Sequence, residues 1–229
     1  MASSPERSAA TSRSSEVARS AAPPVQKSKS VIREYAEALT VAILLALVIR
    51  TVLVQAFKIP SSSMEPTLLI GDHILVNKFI YGVRIPFIGG RVLPFTTPER
   101  GDVIVFVYPK DPSKDFIKRV VAIGGDTVEV KNKKVYVNGK PVEDAHAFYA
   151  DGNRLGRDER DNMPVETVPE GKLFVMGDNR DRSLDSRFWG FVDVGEVKGK
   201  AFIIYFSWDS TARSFTDWVR WGRIGDLIH

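Results

Sequence analysis

The feature that most constrains this chain is an apolar run of twenty residues, 38–57, with the sequence ALTVAILLALVIRTVLVQAF. At about 1.5 Å per residue, a helix of this length is about 30 Å long, which is the thickness of the hydrocarbon core of a bilayer. Its one charged residue, Arg50, lies towards the C-terminal end, from where the side chain can reach the headgroups. The sequence therefore predicts one transmembrane helix, and the alternative is an amphipathic helix buried in a soluble protein.

The charges beside the run predict its orientation. Within about 20 residues before the run, the basic residues are Arg19, Lys27, Lys29 and Arg33. One lysine, Lys58, follows the run directly. Because basic residues are enriched on the cytoplasmic side of a span, the N-terminus is expected in the cytoplasm and residues 58–229 on the far side of the membrane.

The segment before the run, residues 1–37, is predicted to be a cytoplasmic tail that is mostly disordered. Residues 1–30 are rich in Ser, Ala, Arg and Pro, and such a segment buries too little apolar surface to offset its chain entropy. A start rich in Ser and Arg also suits an organellar transit peptide. Glu6 and Glu16 favour the tail, because transit peptides are poor in acidic residues.

The composition of the chain limits the classes of function. Its net charge is only +4, and a short basic cluster of Lys131, Lys133 and Lys134 is predicted to be a solvated loop or hairpin, so nucleic acid is not an expected partner. The chain has no cysteine, which excludes disulfides, thiolate metal sites and a cysteine nucleophile. Its three histidines lack the spacing of metal ligands, so neither a metal nor another cofactor is expected.

After the apolar run, the pattern is typical of β structure. Candidate strands, bounded by turn signals, are residues 102–108, 116–123, 127–130, 135–142, 172–176 and 201–206. Asn138 and Gly139 form the strongest short signal for a hairpin. Residues 144–168 are polar and are expected to form a surface excursion, and no helical pattern of convincing length follows residue 58.

Three consecutive serines, Ser61, Ser62 and Ser63, stand between two prolines just after the apolar run. Serine runs are usually linkers. This one, however, continues at once into LLIGDHILV, an apolar stretch that suits a core strand. A serine fixed between a turn and a strand can act as a nucleophile when a base activates it, and the serines alone leave both interpretations open.

Lys118 is the candidate base. His73 and His146 lie in no Asp or Ser context that would support a histidine base. Lys118 lies in DFIKRVVAIGG, where strand alternation places it on the same face as Phe116 and Val120. Apolar surroundings lower the pKa of a lysine and make it a usable base. Because most strand lysines reach solvent, spacing alone does not establish this role.

Four blocks follow the apolar run in the order IPSSSMEPTLLIGDHILV, RGDVIVFVYP, DFIKRVVAIGGD and GDNRDRSLDSRFWG. Taken alone, the last block resembles an acidic calcium loop, although its arginines indicate internal ion pairs. Together, over about residues 39–206, the blocks closely resemble type I signal peptidase, the bacterial leader peptidase family. Members of this family are membrane-bound serine proteases with a lysine base.

The resemblance implies a role for individual residues. Ser63 would be the nucleophile and Lys118 the general base. The Ser63 N–H and the Ser61 hydroxyl would form the oxyanion hole, and Ser183 would orient the lysine. Substrate-binding positions are implied for Phe57, Ile59, Pro60, Met64, Leu68, Ile74, Val105, Phe116 and Ile117. Structural ion pairs are implied for Arg119, Asp178, Asp185 and Arg187.

The resemblance also implies a fold, an activity and partners. The fold would be mainly β, with an antiparallel core in the form of a conical barrel and a small accessory β region from a reduced insertion at about 126–170. The activity would be removal of N-terminal signal peptides from exported preproteins after small residues, at Ala-x-Ala sites, without a cofactor. Partners would be the signal peptides, the lipid bilayer and the nearby secretion translocon, at a bacterial plasma membrane crossed once.

Three other interpretations compete with this one. A self-cleaving repressor-type Ser–Lys protease is rejected, because the apolar run stands where such proteins have a DNA-binding helix-turn-helix. A membrane-tethered β-domain that only binds or scaffolds would leave Ser63 in an inert linker. An organellar homologue of the same enzyme would differ only in its location.

Overall fold

The structure is a computed structural model that describes residues 31–48, 53–84, 91–92, 96–152, 154, 160–212, 214 and 217–229. The predicted disorder of residues 1–30 and the position of Arg50 lie outside these residues. The chain divides into two units, residues 1–42 and 43–229. The β-sheets and the candidate site belong to the second unit.

The described part of the chain contains thirteen strands and two α-helices, besides short 3₁₀ helices. Helix α1 is Val31–Val48 and the short helix α2 is Ser186–Trp189. The strands are β1 Val54–Lys58, β2 Asp72–Asn77, β3 Val83–Arg84, β4 Arg91–Val92, β5 Val103–Val107, β6 Asp115–Ile123, β7 Thr127–Lys131, β8 Lys134–Val137, β9 Lys140–Pro141, β10 Met163–Thr167, β11 Lys172–Met176, β12 Val192–Asp193 and β13 Val197–Ser207.

The predicted helix of residues 38–57 has different bounds in the structure. Helix α1 begins at Val31, within the predicted tail. The last residues of the predicted span form β1, which pairs along its whole length with β2. Apolar composition alone does not distinguish a buried strand from a helix. Here the end of the apolar run is a strand because β2 provides a hydrogen-bonding partner for it. Among the described residues, no helix is both long and apolar enough to cross a membrane.

The larger sheet is antiparallel, with seven strands in the order β1–β2–β13–β5–β6–β11–β12. Strand β13 is central because its eleven residues pair with β2 over one part and with β5 over another. In the described residues, no ladder joins the edge strands β1 and β12. Backbone pairing therefore does not close this sheet into the predicted conical barrel.

A second sheet, in the order β10–β7–β8–β9, occupies the predicted insertion at about 126–170. The predicted hairpin is confirmed, because Asn138 and Gly139 join β8 to β9 with φ values of 53° and 74°, the left-handed conformation that a tight hairpin turn requires. Strand β10 lies in residues 144–168, for which the sequence predicts a polar surface excursion. Four of its five side chains are exposed, so it lacks the apolar alternation by which strands are found.

One apolar cluster lies beneath the serine segment. It contains Ile59, Met64 and Leu68 from that segment and side chains from β2, β5 and β13. Burying apolar side chains of this size contributes roughly 1.5–3 kcal/mol each. The serines are therefore held between buried anchors.

Candidate active site

The segment between β1 and β2 places Ser63 in a defined conformation. Ser61 is extended, and Ser62–Met64 form one turn of 3₁₀ helix. Ile59, before the serines, is 2% exposed, and Met64, directly after them, is fully buried. A segment anchored on both sides of its polar residues is not a flexible linker, and Ser63 itself is 7% exposed.

Strand β6 brings Lys118 to this serine. The Lys118 Nζ lies 2.7 Å from the Ser63 Oγ and donates a second hydrogen bond of 2.9 Å to the Ile117 carbonyl oxygen. Lys118 is 4% exposed, and its Nζ lies 5.5 Å from the centre of the Phe116 ring. The Ser61 Oγ is 3.4 Å from the Ser63 Oγ. Thus Ser61, Ser63 and Lys118 form one contiguous group.

Burial lowers the pKa of Lys118 to about 8, because an ammonium group loses its hydration in this environment. The carboxylates of Asp185 and Asp178 act in the opposite direction and raise the pKa. Each of these carboxylates forms an ion pair with an arginine, which offsets its negative charge. The lysine is therefore partly neutral near neutral pH.

The two implied ion pairs are both present. Arg119 donates to both oxygens of Asp178, each at 2.8 Å. Arg187 likewise donates to both oxygens of Asp185, each at 2.8 Å. Asp185 also accepts a hydrogen bond of 3.1 Å from the Gly177 N–H. The Arg119–Asp178 pair holds the loop between β11 and α2 against β6, whereas the Arg187–Asp185 pair joins the end of that loop to α2.

Ser183 lies at the site but does not make the bond that was expected of it. Its Oγ is buried without a hydrogen-bond partner, whereas the Lys118 Nζ donates to Ser63 and Ile117. A Cβ placed on Gly177 would lie 2.3 Å from the Ser183 Oγ and 2.3 Å from the Ser63 carbonyl oxygen. Ser183 is thus close to the nucleophile segment, with its hydroxyl free to take a partner.

Sequence reasoning missed two residues of the site, Gly177 and Asn179. Any side chain at Gly177 would collide with Ser183 and with the backbone of Ser63. The Asn179 N–H donates to the Ser63 carbonyl oxygen at 3.2 Å, and its Nδ2 donates to the Ser62 carbonyl oxygen at 3.2 Å. The run Gly-Asp-Asn directly after a strand is the available signal, but taken alone it predicts only an acidic loop with internal ion pairs.

Most of the implied substrate-binding residues lie together. Those in the cluster beneath the serine segment are Phe57, Ile59, Met64, Leu68, Ile74, Val105 and Ile117. Phe116 instead packs against a neighbouring cluster, and Pro60 is exposed. The side chains of Ile59, Met64 and Leu68 are almost fully buried, whereas those of Phe57 and Ile117 are half-buried and partly accessible.

Within the described ranges, no three His, Asp or Glu side chains converge as metal ligands would.

Comparison with known proteins assigns the chain to a family. Residues 32–208 match the family described as signal peptidase, peptidase S26. The chain belongs to this family. It is 40% identical to signal peptidase I of Pseudomonas aeruginosa, an alignment that covers 86% of this chain and 79% of that protein. It is 42% identical to signal peptidase I of Aquifex aeolicus, over 72% of this chain and 80% of the relative.

A solved structure of signal peptidase I from Enterococcus faecalis is 32% identical. It covers 46% of this chain and 97% of the other, with a TM-score of 0.38, which is too low to bear on the fold. The match to the family model and the two sequence relatives are sufficient to assign the family. The chain is a serine peptidase of the S26 signal peptidase family.

Proposed function

We propose that this peptidase removes signal peptides from exported preproteins, with Ser63 as the nucleophile and Lys118 as the general base. The observation that carries the proposal is the 2.7 Å separation of the Lys118 Nζ from the Ser63 Oγ. Burial lowers the pKa of this lysine to about 8, so a neutral amine is accessible near neutral pH. The Pseudomonas and Aquifex relatives are both named signal peptidase I.

The reaction follows from this geometry. The neutral Lys118 amine accepts the proton of the Ser63 hydroxyl while the Oγ attacks the scissile carbonyl carbon. The resulting ammonium group gives that proton to the leaving amine, which departs as the new N-terminus of the mature protein. An acyl-enzyme remains on Ser63. Lys118, again neutral, then accepts a proton from a water molecule, which attacks the ester carbonyl. The Lys118 ammonium group returns this proton to the departing Ser63 Oγ, and the signal peptide is released with a new carboxyl terminus.

The oxyanion of each tetrahedral intermediate needs hydrogen-bond donors. The N–H of Ser63 belongs to the single 3₁₀ turn Ser62–Met64, whose first N–H groups have no intrahelical acceptor. The Ser61 hydroxyl, 3.4 Å from the Ser63 Oγ, can rotate towards the same point. These two groups are the proposed oxyanion hole.

Two further features support the lysine in this role. The unpartnered hydroxyl of Ser183 can accept a hydrogen bond from the Lys118 amine and orient its lone pair towards Ser63. Arg119 and Arg187 neutralise the carboxylates of Asp178 and Asp185, which on their own would stabilise the ammonium form and weaken the base.

A preference for small residues on the substrate is consistent with how the site is filled. Ile59, Met64 and Leu68 are at most 2% exposed, and they already occupy the space beneath the nucleophile. A large side chain at the cleaved position would have to displace them, whereas alanine would not. We therefore assign Ala-x-Ala sites as the substrate motif.

Membrane attachment is part of the same proposal. Helix α1 exposes apolar side chains such as Leu39, Leu44 and Leu45, each more than half exposed. We assign the apolar segment that begins in α1 to insertion in the bacterial plasma membrane, with the N-terminus in the cytoplasm and the peptidase outside, near the translocon. Sedimentation of the full chain with membranes, resistant to alkaline carbonate, is expected, and release by carbonate would contradict it.

The decisive experiment is cleavage of a preprotein with an Ala-x-Ala site by the purified full chain. The wild-type protein should release the mature protein, and Ser63→Ala should release none. The matched control is Ser113→Ala, which changes an exposed serine that bonds only within its own turn and should leave the rate unchanged. Cleavage by Ser63→Ala at the wild-type rate would contradict the proposed nucleophile. Failure of the wild-type protein to cleave would favour a domain that only binds or scaffolds.

A further inference from the structure

A second buried lysine, Lys133, lies in the turn between β7 and β8. Its side chain is 8% exposed, and its Nζ lies 2.8 Å from the Oδ1 of Asp181, whose side chain is 1% exposed. The Nζ also donates a hydrogen bond of 3.1 Å to the Gly152 carbonyl oxygen. Through this one amine, the hairpin turn of the smaller sheet is joined to the loop between β11 and α2.

The backbone conformation of this turn does not favour a lysine at the position of Lys133. Asn132 and Lys133 have φ values of 49° and 69°, and the next turn of the same sheet, Asn138-Gly139, has nearly the same values, 53° and 74°. Glycine adopts this conformation at the second position without a steric penalty, and lysine does not. Lys133 therefore has an unfavourable backbone conformation, and its side chain is the one that pairs with Asp181.

Asp181 is close in sequence to the residue that holds the nucleophile. Asn179, two positions earlier, donates from its N–H to the Ser63 carbonyl oxygen and from its Nδ2 to the Ser62 carbonyl oxygen, both at 3.2 Å. The second oxygen of Asp181 accepts a hydrogen bond of 2.8 Å from the Asp151 N–H. Asp181 is therefore fixed from outside the loop through both of its oxygens.

Buried ion pairs contribute little net stability, because the loss of hydration offsets the attraction, and an apolar pair of similar volume often serves as well. What an ion pair adds is a fixed distance and direction between two segments. Here the two segments are the hairpin turn and residues 177–183, the loop that contacts Ser63 through Asn179.

We propose that Lys133 is a positioning residue, which through Asp181 holds the 177–183 loop so that the Ser63 hydroxyl stays aligned with Lys118. The inference rests on the proposed function of Ser63 and Lys118. It gives the smaller sheet a role in the reaction, because Lys133 of that sheet holds the loop that contacts the nucleophile segment.

The test replaces the ion pair by an apolar pair of similar size, in the double variant Lys133→Met with Asp181→Leu. Neither charge is left unpaired, so the urea midpoint of unfolding should stay near that of the wild-type protein. The kcat for the preprotein, normalised to active sites by acyl-enzyme titration, should fall by roughly tenfold to a hundredfold, since small misplacement of reacting groups is costly. The KM should change little, because the cluster beneath the serines is not altered.

Two further variants make the result specific. Lys133→Arg keeps a cation opposite Asp181, so its kcat should stay within about threefold of the wild-type value, well short of a tenfold loss. Lys131→Met removes an exposed lysine of the same hairpin, which pairs with Glu129, and should leave both kcat and the urea midpoint unchanged.

A double variant with the wild-type kcat per active site would overturn the proposal, and so would Lys133→Arg if it were as slow as the double variant. If Ser63→Ala itself cleaves, the proposed function fails, whereas an inactive Ser63→Ala beside a fully active double variant disproves only the positioning role.

Discussion

Lys118 and Lys133 are both buried in the same domain, yet their surroundings differ in one respect. The amine of Lys118 faces a serine hydroxyl and a backbone carbonyl oxygen. The amine of Lys133 faces the Asp181 carboxylate at 2.8 Å and a backbone carbonyl oxygen. A carboxylate at that distance compensates the charge of an ammonium group, and a hydroxyl does not.

The difference shows that burial alone does not make a lysine a base. Loss of hydration disfavours the charged form of any buried lysine, and a paired carboxylate restores the balance. The carboxylates that raise the pKa of Lys118, those of Asp178 and Asp185, are engaged by arginines. In the proposed function Lys118 transfers a proton, whereas in the proposed positioning role Lys133 connects two segments of chain, so the same substitution should affect the two lysines differently.

The largest expected effect is the loss of activity in Lys118→Met. The side chain has nearly the same shape but no basic nitrogen, so cleavage of an Ala-x-Ala preprotein should slow by roughly 10⁴-fold, the upper range for removing general acid–base catalysis. The free energy of unfolding should not fall, because a methionine needs no hydration in that site. Cleavage assays and urea unfolding measure the two quantities. A variant that cleaves within tenfold of the wild-type rate would show that another group is the base.

The same change in Lys133→Met should have its main effect on stability. It leaves the Asp181 carboxylate buried without its cation, which typically costs about 3–5 kcal/mol. Urea unfolding followed by tryptophan fluorescence measures the loss. Lys131→Met, in the same hairpin but exposed, is the control and should unfold like the wild-type protein. An unchanged midpoint for Lys133→Met would mean that Asp181 finds another partner, and the contrast between the two lysines would be lost.

A smaller effect should appear in the dependence on pH. The pKa of Lys118 is lowered from 10.5 to about 8 in the folded protein. Between these two pH values, the unfolded chain binds a proton that the folded protein does not, so the free energy of unfolding rises with pH, by on the order of 3 kcal/mol in total. Activity should rise about tenfold per pH unit below about pH 8 and level off above it.

The control for this titration is again Lys118→Met, whose stability should lack that rise. Subtracting its unfolding free energy from the wild-type value at each pH between 7 and 10.5 removes the contributions of other groups. A difference in unfolding free energy that stays constant across this range would contradict a pKa of about 8 for Lys118. Activity that stays constant from mildly acidic to alkaline pH would contradict it as well.

The sequence predicted the apolar strands, among them β5, β6 and β11, and the Asn138-Gly139 turn, because these signals are local. It missed β10, whose side chains are mostly exposed, and placed the end of an apolar helix where β1 pairs with β2. It also took Lys133 for a solvated residue of a hairpin. The side chain is buried because the turn faces the loop between β11 and α2, and no local pattern reports such a contact.

By itself, the sequence determined the class of the fold, the family resemblance and the residue types of the site, since these depend on periodicity and on short blocks in a fixed order. Only the tertiary structure decided the distance between Ser63 and Lys118, the lowered pKa, the unpaired hydroxyl of Ser183 and the contacts of Asn179. These properties arise between segments far apart in the chain, where hydration is lost and charges are matched by side chains that only the packed fold brings together.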